Sequence, residues 1–89
     1  MIRATFQFFG RVQGVGFRMT AKRIALRFAL SGYVRNEDEG SVLCVIEGAP
    51  DEIDSFLAGV YEAMKNNITK VNQNRTVPTA EFDGFSIRN

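Results

Sequence analysis

Histidine and tryptophan are absent from the 89 residues, cysteine occurs once as Cys44, and proline occurs twice. Without histidine and with a single thiol, the chain cannot build a His/Cys zinc site, a disulfide framework or a CxxC redox centre. A Ser-His or Cys-His nucleophile pair is excluded on the same ground. Any catalysis must use other groups. Long apolar runs are missing too. The longest, Val42-Leu43-Cys44-Val45-Ile46, is far below the roughly 20 residues of a membrane helix, so no membrane partner is expected. Polar residues interrupt Met1-Ile2-Arg3-Ala4-Thr5-Phe6-Gln7 where a signal peptide would be apolar, and a cytoplasmic location is the expectation. Finally, acid is missing from the first third of the chain. Residues 1–35 carry Arg3, Arg11, Arg18, Lys22, Arg23, Arg27 and Arg35 and no Asp or Glu, a charge of +7; residues 36–89 carry −6. The net charge of +1 argues against nucleic acid as a partner, whereas the basic first third suits a small anion.

What is present is the composition of a globular protein: 45% hydrophobic, 11% aromatic and 24% charged residues, with 8 glycines. A chain of this length has room for one domain, residues 1–89, with one core between two layers, and a monomer is expected.

Residues 2–9 alternate, with Ile2, Ala4, Phe6 and Phe8 on one face and Arg3, Thr5 and Gln7 on the other, the pattern of a half-buried strand. A loop with three glycines in seven residues follows, from Gly10 to Gly16. From about Phe17 to Leu30, Ala21, Ile24, Ala25 and Phe28 keep helical spacing, and Gly32 suits the position just past a helix end. Tyr33–Asn36 and Ser41–Glu47 predict two strands of a hairpin closed by Glu37-Asp38-Glu39-Gly40, a solvated tip. Pro50 fits a first helical position, and Ile53, Phe56, Leu57, Val60 and Met64 form the apolar stripe of a second helix ending near Asn66-Asn67, with Gly59 on its exposed side. Residues 68–77 favour an extended strand only loosely, because Ile68, Val71 and Val77 keep no clean period of two. Phe85 and Ile87 alternate with Ser86 and Arg88 in a short last strand. The order βαββαβ with an added final strand implies an α+β ferredoxin-like sandwich, a mainly antiparallel sheet with two helices on one face.

The two helix starts differ. Asp51, Glu52 and Asp54 meet the positive end of the second helix, whereas Phe17-Arg18-Met19-Thr20-Ala21-Lys22-Arg23 brings only cations to the first, whose free N–H groups follow the glycine loop. An external anion is the missing partner: glycines let backbone N–H groups turn inward as a nest, and Arg18 adds a fork that matches phosphate. Named phosphate motifs do not account for it. No GxxxxGK[ST] run exists, and Gly14-Val15-Gly16 meets Met19 where the dinucleotide fingerprint needs glycine. Gln13–Arg18 faintly echoes an aromatic RNA-binding octamer, but it follows the first strand, whereas that octamer lies on the third.

Gly10-Arg11-Val12-Gln13-Gly14-Val15-Gly16-Phe17-Arg18, followed by Gly32-Tyr33-Val34-Arg35-Asn36, Gly40-Ser41-Val42 and Gly48, resembles both signatures of the acylphosphatase family. The resemblance covers residues 10–48 closely, and Phe85-Ser86-Ile87-Arg88 is similar to the family's usual ending. It implies a ferredoxin-like fold and cofactor-free, metal-free hydrolysis of a small-molecule acyl phosphate to a carboxylate and phosphate. Carried over by position, Arg18 binds the phosphate, Asn36 holds the attacking water, and the backbone N–H groups of Arg11, Val12, Gln13, Gly14, Val15, Gly16 and Phe17 cradle the phosphate. The rival expectation is a module of the same fold that holds a phosphoanion without turnover.

Singly, each residue has a duller reading. Asn36 before an acidic hairpin reads as a turn residue, and Gly14 and Gly16 as turn formers. The side chains of Arg11, Lys22, Arg23 and Arg27 read as a solvated face, and Cys44 as a small core residue. The combination of glycine loop, acid-free helix start and paired signatures is what singles out Arg18.

Overall fold

A computed structural model describes all of residues 1–89. Seven elements follow one another: β1 (Ile2–Gly10), α1 (Phe17–Ala25), β2 (Ser31–Asn36), β3 (Val42–Gly48), α2 (Pro50–Met64), β4 (Ile68–Thr76) and β5 (Phe85–Arg88). The strands form one sheet in the order β4-β1-β3-β2-β5, antiparallel except where β5 runs parallel to β2. The βαββαβ sandwich with an added strand is the architecture expected from the pattern.

The apolar alternation of β1 turns Ala4, Phe6 and Phe8 inward, all without solvent exposure, against Phe17, Ala21, Ile24 and Ala25 of α1 and Ile53, Phe56, Val60 and Met64 of α2. Both helices therefore cover one face. A chain of aromatic contacts runs through this core: Phe8 lies 5.0 Å from Phe17, Phe6 lies 6.4 Å from Phe56, and Phe56 lies 6.2 Å from Phe85. Burying each such ring contributes about 1.5–3 kcal/mol, so the start of α1 and the start of β5 are both pinned to the centre of the molecule.

Several local expectations change. The first helix ends at Ala25, not near Leu30, because Arg27 and Phe28 donate to the Ile24 and Ala25 carbonyls in a tighter turn that carries Leu30 into the core. Gly32 is no helix stop. It lies inside β2 at φ 141°, where a Cβ would strike the Val45 carbonyl of β3, and its N–H donates to the Gly84 carbonyl at 2.9 Å. Gly59 does not face solvent either. A Cβ there would stand 3.1 Å from the Ile24 Cγ2, so the glycine lets the two helices approach. Residues 68–76 form a full strand paired to β1; most of its side chains are exposed because β4 is an edge strand, which erases the period of two. The hairpin tip is more structured than a solvated loop. Ser41 donates to the Glu39 carboxylate through its hydroxyl and its N–H, and Glu37 pairs with Arg35 at 3.1 Å.

Residues 77–84 cross the helix-free face of the sheet and are fastened by one buried carboxylate. Glu47, 1% exposed, accepts from the Arg3 guanidinium at 2.8 Å, the Thr79 N–H at 2.8 Å, the Ala80 N–H at 2.9 Å and the Thr79 hydroxyl at 3.2 Å. Burial alone would raise its carboxyl, but these four donors outweigh it and hold the group at about 2. A depressed carboxyl contributes stability that is complete above the ordinary value of 4.5 and lost as pH falls through the folded value. Urea midpoints are expected to fall between about pH 4.5 and about pH 2 in the wild type, and more shallowly in Glu47→Gln. Equal slopes would show that Glu47 does not carry this acid sensitivity.

Candidate functional site

Between β1 and α1 the chain must reverse and place a helix start beneath the sheet's end. Gly14 and Gly16 take φ 75° and 76°, left-handed angles that glycine adopts without strain, and no atom lies within 4 Å of the Cβ either would carry. Their conformation, not crowding, calls for glycine. Val12 and Phe17, 1% and 2% exposed, anchor the two ends of this loop in the core. Gly16 caps α1 with no side-chain hydrogen bond, and no acidic residue stands in the first turn. From Val12 to Met19 no backbone N–H donates to a backbone carbonyl; the Arg11 N–H goes to the Asn67 carbonyl at 2.9 Å and the Thr20 N–H to the Gly16 carbonyl at 3.1 Å. The free donors thus begin one residue later than expected from the sequence.

Arg18 rises from the first turn of α1. Its Nη1 donates to the Arg88 carbonyl at 3.2 Å and to Asn89 Oδ1 at 3.4 Å, and no carboxylate pairs with it. Its charge is therefore uncompensated. Across the opening, Asn36 ends β2, held by its pairing with Val42 of β3. Its Oδ1 is the one buried side-chain oxygen or nitrogen without a hydrogen-bond partner. Leaving such an acceptor unpaired costs about 1–3 kcal/mol.

These groups line a single cleft of about 300 Å³. Of the residues singled out in the sequence, Val12, Gly14, Gly16, Phe17, Arg18 and Asn36 border it, and Arg11, Gln13 and Val15 do not. Met19, Ile87 and Asn89 complete its wall and were not singled out. Met19 left a weak signal, an apolar residue on a helix turn otherwise rich in cations, and it is 58% exposed. Ile87 stood out only as part of the alternating last strand and Asn89 not at all, since only the parallel pairing of β5 with β2 brings the last residues to the loop.

A nest of free N–H groups at a helix start, a guanidinium without a counter-ion and an amide acceptor without a donor suit a tetrahedral anion with a water beside it. Cys44 takes no part, as it is fully buried and burial pushes its thiol up. No helix is long and apolar enough to cross a membrane.

Comparison with known proteins agrees with that chemistry. The family model described as Acylphosphatase matches residues 4–87. An acylphosphatase of Salinibacter ruber is 37% identical over 97% of this chain and 92% of its own length, and one of Pasteurella multocida is 32% identical over 99% of each. The crystal structure of acylphosphatase from Bacillus subtilis superposes with a TM-score of 0.90 at 30% identity, covering 100% of both chains. The chain belongs to the acylphosphatase family.

Proposed function

We propose that this protein, as a single domain over residues 1–89, hydrolyses acyl phosphates to a carboxylate and inorganic phosphate, with Arg18 and the N–H groups of the 12–19 loop holding the phosphoryl group and Asn36 orienting the water. The observation that supports it is the meeting, on one cleft, of the unpaired N–H run, the uncompensated Arg18 and the unpartnered Asn36 Oδ1.

The chemistry needs little else. A water oxygen forms a bond to phosphorus while the bond from phosphorus to the acyl oxygen breaks. The departing carboxylate has a conjugate acid of pKa about 4 and leaves without a general acid. An amide is no base, so the water's proton passes to a phosphate oxygen of the substrate itself. Negative charge on the equatorial oxygens is met by donors already in place, which is where phosphoryl-transfer enzymes gain most of their rate. No histidine and no metal is required by this route.

Gln13 ties the two halves of the site together. Its side-chain amide donates to the Glu37 carbonyl at 2.7 Å and to the Ser41 carbonyl at 2.9 Å, joining the phosphate loop to the hairpin that ends in Asn36. A cleft of about 300 Å³ suits a small molecule, and we extend the reading to a cytoplasmic monomer that does not act on nucleic acid.

Purified protein is expected to release phosphate from acetyl or benzoyl phosphate in the presence of a metal chelator. Phosphate binding without release would make it a phosphoanion-holding module instead. Arg18→Ala is expected to lower turnover by at least about 10²- to 10³-fold, the effect of losing a preorganised oxyanion donor, with folding kept. Asn36→Ala should reduce turnover more than phosphate binding. Product inhibition by phosphate that vanished in Asn36→Ala and survived in Arg18→Ala would reverse the two roles. Gln13→Leu should lower kcat about 10-fold while changing the phosphate inhibition constant less than about 3-fold, since it shifts Asn36 relative to an intact cradle.

A further inference from the structure

Arg18 is steadied by a backbone carbonyl that belongs to the last strand, and that strand is itself only four residues long. β5 pairs with β2 alone, at the edge of the sheet. Phe85 pins its start in the core, and further attachments lie on the opposite, helix-free face.

Two attachments act there. The first is Glu47, whose carboxylate gathers the N–H groups of Thr79 and Ala80. Ala80 adopts φ 58°, a left-handed angle that a residue with a Cβ keeps only where its surroundings over-determine it. The Ala80 N–H bond to Glu47 is such a constraint. The second is a stack of rings and guanidinium groups. Phe82 packs edge-on to Tyr33 at 5.7 Å and lies 4.9 Å from the Arg3 guanidinium; the Arg88 guanidinium sits 4.0 Å from the Tyr33 ring centroid and 5.9 Å from that of Phe82. Arg3 joins both attachments, since its Nε also donates to Glu47. Arg88 is the link to the cleft: its side chain belongs to the stack, and its carbonyl accepts from Arg18.

We propose that Glu47 and Phe82 are positioning residues for Arg18, fixing segment 77–84 so that β5 presents the Arg88 carbonyl to the guanidinium that binds phosphate. The inference rests on Arg18 being the phosphate ligand. Neither residue lines the cleft. Their effect is conformational: with the carbonyl in place the Arg18 fork is preorganised, and without it the side chain must be ordered each time an anion binds.

NMR on the full chain tests this with two readouts, the order parameter of the Arg18 Nε–H in the free protein and the affinity for inorganic phosphate. In the wild type that order parameter should approach the value of about 0.85 seen in rigid groups, and in Phe82→Leu it should fall below about 0.6. Phosphate should bind about 3- to 10-fold more weakly in the same variant. Glu47→Gln should do likewise. Should it fail to fold, as judged by circular dichroism, Phe82→Leu decides alone, because its ring lies in a surface loop.

An unchanged Arg18 order parameter in the folded variants overturns the proposal. So does weaker phosphate binding with Arg18 still rigid. The catalytic reading fails separately: wild-type protein that binds phosphate through Arg18 but releases none from benzoyl phosphate sinks that reading and leaves the positioning role standing. Normal turnover with variants indistinguishable from wild type does the reverse.

Discussion

The turn from Val12 to Met19 holds an uninterrupted run of backbone N–H groups that donate to no backbone carbonyl, and at a helix start such groups carry a concentrated partial positive charge. Elsewhere such a run is capped by an N-cap side chain or offset by acids in the first helical turn, as the charges of Asp51 and Glu52 offset it at the start of α2. Here Gly16 supplies no side chain and Arg18 adds another positive group. The protein presents a concentration of positive potential that favours an anion from solution, and much of the remaining structure keeps it in place.

The supports come from distant parts of the chain. Val12 and Phe17 root the loop in the aromatic core, and the Arg11 N–H to Asn67 carbonyl bond ties its entrance to the turn between α2 and β4. Gln13 joins it to the hairpin. The Arg88 carbonyl steadies Arg18 from the last strand. An arrangement held from so many directions suits a reaction in which the protein contributes donors at fixed positions and leaves the proton to the substrate.

Much of this was legible in the residues themselves. The alternation in β1, the stripe on α2 and the acid-free start of α1 are local patterns, and each element formed where its pattern stood. Boundaries failed where tertiary contacts overrode local preference. Helical spacing through Phe28 was cut short by a turn that buries Leu30. Gly32 and Gly59, which local rules assign to a helix stop and an exposed weak point, are both places where another backbone or helix comes close. β4 left a faint trace because an edge strand with exposed side chains has no burial pattern to display.

Residue order alone displayed most of the polar groups that line the cleft: glycines that free the backbone, a cation where an acid usually stands, and an amide ahead of a tight hairpin. Those are one-dimensional facts, since a loop and the helix after it share one stretch of chain. Which carbonyl would meet Arg18, that Asn36 Oδ1 would be left unpartnered and that Glu47 would fasten segment 77–84 were decided only by the folded sheet. Its parallel pairing of β2 with β5 brings residues more than fifty positions apart side by side, a proximity that no local spacing encodes.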